Sequence, residues 1–361
     1  MKPVRIDVST PSRAYLVHVG AGLAGRLGAL LDAAGGTGRR VFVSSPPIWR
    51  LHGNAIHATL KDAETILVPD GERSKTLRTA TRIHDALICA AADRTVTIVA
   101  VGGGVLGDVA GFAAATYLRG VRLAHVPTTL LAQVDSAIGG KVGVNHRLGK
   151  NLIGAFHQPI VVVTDPLMLE TLPRREFRAG LYEVVKYGVI ASRGLFDRVS
   201  RELSAIFARE PDALVPVIAE SCRIKAAVVS ADERESGPRR TLNFGHTAGH
   251  AIEAVTRYRR FRHGEAIAYG MLAAAEIAVA RETFAEDDRK ALAGLVAQLG
   301  PLPSVSDLSV KSILEAVRRD KKVLKGTLHF VLPTALGQTE IVDDVTDKEL
   351  RRALRAIGLR R

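Results

Sequence analysis

Cysteine is almost absent from this sequence of 361 residues. Only Cys89 and Cys222 occur, and they lie far apart in the chain. Two thiols so widely separated do not form the framework of a small disulfide-stabilised secreted domain. Both fall in apolar helical patterns, so we predict that they are reduced core residues of a cytoplasmic protein.

Long apolar runs are also missing. No uncharged apolar stretch approaches the roughly 20 residues that a membrane-spanning helix needs. The first residues, MKPVRIDVSTPSRAYLV, alternate like a strand and lack the apolar segment of a signal peptide. Hydrophobic residues make up 47% of the chain and charges occur along its whole length, which is typical of a globular protein. We therefore expect two domains with a large core and no membrane association.

Acidic residues are too few to balance the basic ones, and the formal net charge is +13. Such a charge fits a nucleic-acid-binding protein, or an enzyme that acts on small polyanions. The sequence has no zinc-finger, RRM-type or KH-type motif, and its basic residues are scattered. The densest basic runs are residues 257–262 and the C-terminal LRRALRAIGLRR. We expect a solvated basic surface and no nucleic-acid partner.

Short β-rich runs alternate with helix-length stretches in the first half of the chain, which is typical of an α/β domain with a mostly parallel sheet. The predicted strands are Val4–Val8, Tyr15–Val19, Val41–Ser44, Glu64–Val68, Thr95–Val101, Arg122–Val126 and Ile160–Thr164, the first two as an edge hairpin. From Arg174 to Glu282 the patterns are helical, and a late hairpin is predicted from Thr327–Leu332 and Gln338–Val342. We predict a Rossmann-like domain over 1–172, a mostly helical domain over 173–361, and an active site in a cleft between them.

A glycine-rich turn follows the predicted strand TVTIVAV. Gly102, Gly104 and Gly107 satisfy G-x-G-x-x-G, and a helix-forming stretch follows. Such glycines let the backbone approach a pyrophosphate at a helix N-terminus. However, the strand is not the first of its domain, and no acidic residue follows at about 20 positions to bind a ribose. The pattern predicts a dinucleotide phosphate site outside the ordinary Rossmann arrangement, with a purely structural turn as the alternative.

Two further polar segments surround this turn. The segment Val68–Lys75 contains DGERSK at the end of a predicted strand, where Glu72 could bind a ribose or Ser74 could simply cap a helix. The segment VPTTLLAQVDSAIGGKVGVNHRLGKNLIGAF is not a P-loop, because Val142 stands where Ser or Thr would be required. It nevertheless concentrates cationic and amide donors among glycines. This is typical of a site for a phosphorylated substrate, although a surface loop would also hold lysines.

Three of the 11 histidines fall within 18 positions. His246 and His250 are four residues apart and share a helix face, and His263 begins a later helical run. Glu183 lies in the apolar helix GLYEVVKYG with Lys186 on the same face, where a carboxylate is costly unless it is paired or metal-bound. One Glu and two His form a known catalytic zinc set. Spacing alone favours His246 and His250 but does not decide which histidines bind.

Taken together, these motifs resemble those of the 3-dehydroquinate synthases, which are sugar phosphate cyclases, and the resemblance covers nearly the whole chain. The motifs are DGERSK, GGGVLGD, FAAATYLRGV, VPTTLLAQVDSAIGGKVGVNHRLGKNLIGAF, TLPRREFRAGLYEVVKYG, ADERESGPRRTLNFGHTAGHAIEA, HGEAIAYGM and DKKVLKG. The resemblance implies Zn²⁺ or Co²⁺ bound by Glu183, His246 and His263, which replaces the pair favoured by spacing. It implies an NAD site at Asp70, Gly71, Glu72, Arg73, Ser74, Lys75, Gly104, Val105, Leu106, Gly107, Asp108, Thr128, Thr129, Lys141, Lys150, Met168, Leu169, Glu170 and Thr171.

The same resemblance implies substrate roles in a homodimer. The phosphate would contact Lys141, Asn151, His250 and one of Lys321 and Lys322, with Arg119 reaching across the dimer. Lys225 and Arg239 would bind the carboxylate, and Asp135, Lys186 and Asn243 the ring hydroxyls. The implied reaction converts 3-deoxy-D-arabino-heptulosonate 7-phosphate to 3-dehydroquinate in the shikimate pathway of aromatic amino acid biosynthesis. It proceeds by transient oxidation at C5 by NAD, β-elimination of phosphate, reduction, ring opening and aldol closure.

Several alternatives stay open. Related cyclases make other rings, such as 2-epi-5-epi-valiolone or amino-dehydroquinate, and metal-dependent polyol dehydrogenases share the glycine turn. Tyr182 and Tyr269 stand where the family often has small residues. Both adjoin segments of the predicted metal site in sequence, and they could either fill the core or reshape the pocket. Lys225, Arg239, Asn243, His250 and the pair Lys321-Lys322 match the dehydroquinate pattern and favour that substrate.

Overall fold

The computed structural model describes residues 2–235, 237–319 and 328–360, and the chain forms two compact units. The first unit comprises Met1–Pro173 and Ser204–Arg234, and the second comprises Arg174–Leu203 and Glu235–Arg361. The sequence prediction divided the chain once, between residues 172 and 173. In the structure, Ser204–Arg234 also belong to the first unit. They do so because the helix over Pro211–Ala231 packs against the first two strands.

The strands are named in chain order. They are β1 (Val4–Ser9), β2 (Ala14–Val19), β3 (Arg40–Ser44), β4 (Glu64–Leu67), β5 (Thr97–Gly102), β6 (Arg122–Pro127), β7 (Lys141–His146), β8 (Gly149–Phe156), β9 (Val161–Thr164), β10 (Phe330–Ala335) and β11 (Gln338–Val342).

The helices are also named in chain order. They are α1 (Leu27–Ala33), α2 (Pro46–His57), α3 (Leu77–Cys89), α4 (Gly104–Thr116), α5 (Arg174–Ala191), α6 (Arg193–Arg201), α7 (Leu203–Phe207), α8 (Pro211–Ala231), α9 (His246–Val255), α10 (His263–Ala280), α11 (Glu286–Leu299), α12 (Val310–Arg319) and α13 (Asp347–Ala356).

A seven-stranded sheet forms the centre of the first unit, in the order β1-β2-β9-β6-β5-β3-β4. All its neighbouring strands are parallel except β1 and β2, which pair as an antiparallel edge hairpin. The predicted parallel sheet and edge hairpin are therefore confirmed. Successive residues of β5 pack on opposite faces: Ile98 joins the core under α3 and α4, and Val99 joins the core on the α1 and α2 face. Burial on both faces explains why this strand is apolar from Ile98 to Val101.

A second hairpin, formed by β7 and β8, was not predicted. These strands pair antiparallel, with Gly143 opposite Gly154, and Val142 packs against α4. A Cβ added to Gly111 of α4 would lie 2.3 Å from Cγ1 of Val142, so this glycine is what lets the hairpin approach the helix. Much of the predicted lysine-rich loop is therefore a hairpin that covers α4, because packing against that helix holds its backbone in place.

The second unit is mainly helical, as predicted. α10 packs against α5, α9 and α11, and a small hairpin of β10 and β11 completes the unit. Pro333 lies inside β10 and not in the predicted turn, which shifts that strand relative to the sequence prediction. Residue 327, where the predicted strand began, lies outside the described residues.

The prediction of two core cysteines is correct for Cys222 and wrong for Cys89. Both are free thiols, but Cys89 is exposed at the end of α3. The buried face of α3 passes through Ala80, Ile83 and Leu87, and position 89 lies off that face. Over the residues that the structure describes, no helix combines the length and apolar character needed to cross a membrane.

Candidate active site

Glycine contacts bring the histidine-bearing segments of the second unit together. A Cβ on Gly264 would lie 1.9 Å from the carbonyl oxygen of Ala179, and one on Gly270 would lie 1.7 Å from that of Gly245. α10 can therefore touch the backbone of both α5 and the start of α9. His263 immediately precedes Gly264, and His246 immediately follows Gly245. These close approaches fix the positions of both histidines relative to Glu183 on α5.

The resulting cluster contains three histidines and one buried carboxylate. Ligand atoms of His246, His250 and His263 all lie within 4.8 Å of one another. Oε1 of Glu183 lies 3.3 Å from Nε2 of His263 and 3.8 Å from Nε2 of His246. Glu183 is fully buried and His263 is partly accessible. One carboxylate and imidazole nitrogens at this spacing form a donor set suited to a divalent transition metal.

Lys186 pairs with Glu183 from the same helix. Its Nζ lies 2.6 Å from Oε2, and both side chains are at most 1% exposed. The ammonium also lies 4.8 Å from the centre of the Tyr187 ring. Because Lys186 contacts Oε2 while the histidines approach Oε1, the two oxygens of the carboxylate have separate partners.

Both His246 and His263 present Nε2 to Glu183 while their Nδ1 atoms have other partners. Nδ1 of His246 lies 3.1 Å from the carbonyl oxygen of Phe244. Nδ1 of His263 lies 3.2 Å from Oε2 of Glu253. Burial alone would lower the pKa of His263, but the carboxylates of Glu253 and Glu183 raise it to about 10. The site thus attracts positive charge strongly, and a metal ion would compete with this proton.

Two predicted substrate-binding residues precede α9 in a short 3₁₀ helix over Pro238–Asn243. Arg239 is buried, and Nδ2 of Asn243 donates to Oε1 of Glu235 at 2.7 Å. Asp135 and Lys225, two other predicted residues, form a close ion pair in the first unit. The remaining predicted phosphate contact, one of Lys321 and Lys322, lies outside the described residues.

The four segments predicted to bind NAD all lie in the first unit and follow parallel strands. Residues 70–75 follow β4, 104–108 follow β5, Thr128 and Thr129 follow β6, and 168–171 come shortly after β9. The carboxyl ends of these strands meet at one edge of the sheet, which is where open α/β sheets bind ligands. Gly104 contributes by close approach, because its Cβ would lie 2.8 Å from Oγ of Ser136.

A network of polar side chains joins three of the predicted segments. Nζ of Lys75 closely contacts carboxylate and amide oxygens of Asp108 and Asn151. Burial raises the pKa of Asp108, and the Lys75 ammonium opposes that rise. Nδ2 of Asn145 donates to Glu72 at 2.7 Å, and Oδ1 of Asn145 accepts from the Asn151 backbone at 3.0 Å. DGERSK, the glycine turn and the β7–β8 hairpin are therefore held in one arrangement.

Other predicted residues lie at the margins of this network or away from it. Lys141 is exposed at the start of β7, and Nζ of Lys150 lies 3.5 Å from Oε1 of Glu72. Met168 and Leu169 have buried side chains. Arg119 is exposed after α4 in a left-handed backbone conformation with φ of 68°. No described contact assigns Arg119 to either cluster.

The two tyrosines that could have altered the pocket instead contact the segment after α11. The hydroxyl of Tyr182 donates to the carbonyl of Gly300 at 3.3 Å, and that of Tyr269 to the carbonyl of Pro303 at 2.9 Å. Burial raises the pKa of Tyr182 to about 12. Tyr182 is therefore a core residue, whereas Tyr269 is half-buried.

Two polar residues that contact predicted site residues, Glu253 and Glu235, were not singled out from the sequence, whereas Asn145 belongs to the predicted lysine-rich segment. Glu253 contacts His263, Glu235 accepts from Asn243, and Asn145 joins Glu72 to Asn151. Glu253 could have been found from its spacing, since it is three residues from His250 and seven from His246 on one helix face.

Comparison with known proteins defines the class first. A 2-epi-5-epi-valiolone synthase from Streptomyces hygroscopicus, solved with NAD⁺ and Zn²⁺ bound, is 29% identical with a TM-score of 0.87, covering 95% of this chain and 96% of that one. A 2-deoxy-scyllo-inosose synthase, solved with carbaglucose-6-phosphate, NAD⁺ and Co²⁺, is 28% identical with a TM-score of 0.87, covering 99% and 100%. The fold is that of the sugar phosphate cyclases.

Sequence profiles then give the family. The profile described as 3-dehydroquinate synthase N-terminal matches residues 65–179, and the one described as 3-dehydroquinate synthase C-terminal matches 180–323. A 3-dehydroquinate synthase from a Synechococcus strain is 46% identical over 367 residues, covering 98% of this chain and 99% of that protein. The chain belongs to the 3-dehydroquinate synthase family, as its motifs predicted.

Proposed function

We propose that this enzyme converts 3-deoxy-D-arabino-heptulosonate 7-phosphate to 3-dehydroquinate and inorganic phosphate, using NAD and a divalent metal ion. Membership of the 3-dehydroquinate synthase family supports the reaction. The observation that carries the proposal is the convergence of His246 and His263 on the buried carboxylate of Glu183. The family membership favours this reaction over a nucleic-acid-binding function or a simple polyol dehydrogenation.

The residues present fit a metal ion. Oε1 of the fully buried Glu183 has imidazole nitrogens at 3.3 and 3.8 Å, while Lys186 pairs with the other oxygen. A cation among the three ligand atoms would have one carboxylate and two imidazole donors. We propose Glu183, His246 and His263 as the ligands, with Zn²⁺ or Co²⁺ as the ion. When bound, such an ion polarises a substrate hydroxyl or ketone oxygen.

The first unit fits a dinucleotide. The glycine turn leads from β5 into α4, and a helix N-terminus at the carboxyl end of a parallel strand offers backbone amides to a phosphate. Gly104 at the start of α4 packs closely against Ser136. Lys75 contacts Asp108, and Glu72 accepts a hydrogen bond from Asn145, so these side chains are oriented by contacts within the network. When bound, NAD supplies transient hydride acceptance, so that the overall reaction involves no net oxidation.

The chain's own side chains would orient the substrate and stabilise its charges. Arg239 and Lys225 are buried cations, which bind a carboxylate more strongly than exposed ones because solvent screening is weak. We propose this role for both, and hydroxyl contacts for Asp135, Lys186 and Asn243. His250, Lys141 and Asn151 are proposed to bind the phosphate and to stabilise its departure.

The oligomeric state and the cellular location of the protein are also proposed. Arg119 would complete a neighbouring protomer's phosphate site, which requires a homodimer. Its exposure in the described chain is compatible with such a contact. We also propose a cytoplasmic location, since Cys89 and Cys222 are free thiols.

A phosphate-release assay tests the proposal. The purified protein should release phosphate from the heptulosonate phosphate with catalytic NAD, without net accumulation of NADH. Chelation should abolish the activity, and zinc should restore it. Stoichiometric NADH formation from an uncharged polyol would instead indicate a dehydrogenase. Turnover of the amino analogue, or of a heptulose 7-phosphate without a carboxylate, in preference to the keto-acid phosphate would indicate another cyclase.

A further inference from the structure

We propose that Glu253 is a positioning residue of the metal site, which holds the imidazole of His263 so that Nε2 points at the ion. This inference rests on the proposed metal site and assigns a role to a residue outside the proposed ligand set. Glu253 is not itself a ligand of the ion. It acts through the ring of His263.

The position of Glu253 is unusual for a carboxylate. It is only 4% exposed and lies on α9, a helix whose other buried positions are small, apolar or histidine. Burial of an ionised carboxylate is unfavourable unless hydrogen bonds or opposite charges compensate for it. Oε2 of Glu253 lies 3.2 Å from Nδ1 of His263, which supplies both a donor and, when protonated, a charge.

The contact determines which ring nitrogen faces the site. With Nδ1–H donating to Glu253, the neutral ring carries its lone pair on Nε2, and this atom lies 3.3 Å from Oε1 of Glu183. A ring rotated about its Cβ–Cγ bond would lose the Glu253 contact. The carboxylate therefore fixes both the tautomer and the orientation of His263, and it increases the basicity of Nε2 toward a metal.

His246 has an equivalent but weaker arrangement. Its Nδ1 lies 3.1 Å from the carbonyl of Phe244, which is a neutral acceptor. The two proposed histidine ligands are thus oriented by different groups, one charged and one neutral. Side-chain substitution can remove only the first of these, so Glu253 gives a direct test of orientation at the site.

The test compares Glu253→Ala with Glu253→Gln, using Zn²⁺ and Co²⁺ affinity measured by chelator competition. Loss of an orienting partner typically weakens metal affinity about 10- to 100-fold, and we expect a loss in this range for Glu253→Ala. Glu253→Gln keeps an oxygen at the same distance and should bind metal within a few-fold of wild type. The cobalt absorption bands should change in Glu253→Ala and stay close to wild type in Glu253→Gln.

Glu349→Ala serves as the matched control. Glu349 is a carboxylate on α13, a helix that also packs against α10, but it pairs with Arg281 at 2.6 Å and not with a histidine. Its substitution should lower stability without changing metal affinity or the cobalt bands. The comparison separates a general loosening of α10 from misorientation of His263.

The possible outcomes are distinct. If wild-type protein bound neither metal, the proposed function would fail. If wild-type protein bound metal and Glu253→Ala bound it equally well with the same cobalt spectrum, the positioning role would be refuted. Equal losses in Glu253→Gln and Glu253→Ala would also refute it, because charge and not orientation would then matter. If Glu253→Ala did not fold, the ¹⁵N signals of His263 in zinc-loaded Glu253→Gln would decide: retention of the proton on Nδ1 supports the proposal, and its loss overturns it.

Discussion

Replacement of Lys186 by Met should destabilise the metal-free protein strongly and the zinc-loaded protein much less. The Nζ–Oε2 distance of 2.6 Å and an effective dielectric constant of about 20 give a Coulomb attraction of roughly 6 kcal/mol. The net cost of breaking a buried pair is smaller, about 3–5 kcal/mol, because desolvation offsets part of the attraction. We expect the lower end, about 3 kcal/mol, since His246 and His263 lie near the other carboxylate oxygen.

The measurement is urea unfolding of Lys186→Met, first with chelator and then with saturating zinc. A divalent ion beside Glu183 would compensate for the lost ammonium, so the zinc-loaded difference from wild type should fall to about 1 kcal/mol or less. The double variant Glu183→Gln/Lys186→Met, which buries no charge there, should be more stable than Lys186→Met without metal. A metal-free loss below about 1 kcal/mol, or a double variant no more stable than the single one, would refute this reasoning.

Further predictions concern the metal ligands, the glycine turn and a buried histidine. His263→Ala should abolish zinc retention measured by atomic absorption, whereas His250→Ala should retain zinc and lose phosphate-release rate; full zinc occupancy in both would contradict the ligand assignment. Gly104→Ala should raise the Kd for NAD by calorimetry, because its Cβ would lie 2.8 Å from Oγ of Ser136, and Ser136→Ala in the same chain should recover part of the affinity. Burial, and to a smaller extent His157, lowers the pKa of His125 from an ordinary 6.5 to about 4. Between these two pH values the unfolded chain binds more protons than the folded protein, so the free energy of unfolding decreases as the pH falls. His125→Gln should remove up to about 3 kcal/mol of that pH dependence, and an unchanged slope in denaturation curves from pH 4 to 6.5 would contradict the assignment.

The central sheet could be predicted because its strands are short, apolar and separated by helices. Every residue of β5 is buried, and the run from Ile98 to Val101 is wholly apolar, so this strand is easily recognised. The β7–β8 hairpin could not be predicted in the same way. Its residues mix Lys, Asn and Gly with apolar positions, and the pairing depends on the approach of Val142 to Gly111. Contacts of this kind exist only after the chain has folded.

The candidate site could be predicted from the sequence only in part. Local spacing placed His246 and His250 on one helix face but could not choose His263, since that choice depends on α10 touching α5 and α9. The proposed ligand set came from the family resemblance, because family motifs include residues that are distant in sequence and come together only in the folded protein. Glu253 was missed because a single Glu in a helix is ordinarily a surface residue, and its burial beside His263 depends on the same packing.

The most direct measurement is anomalous X-ray diffraction at the zinc absorption edge from crystals of the protein grown with zinc and NAD. We predict one strong peak about 2.0–2.2 Å from Nε2 of His246, Nε2 of His263 and a carboxylate oxygen of Glu183. A fully occupied zinc peak bound elsewhere, with no peak among these three side chains, would contradict the account.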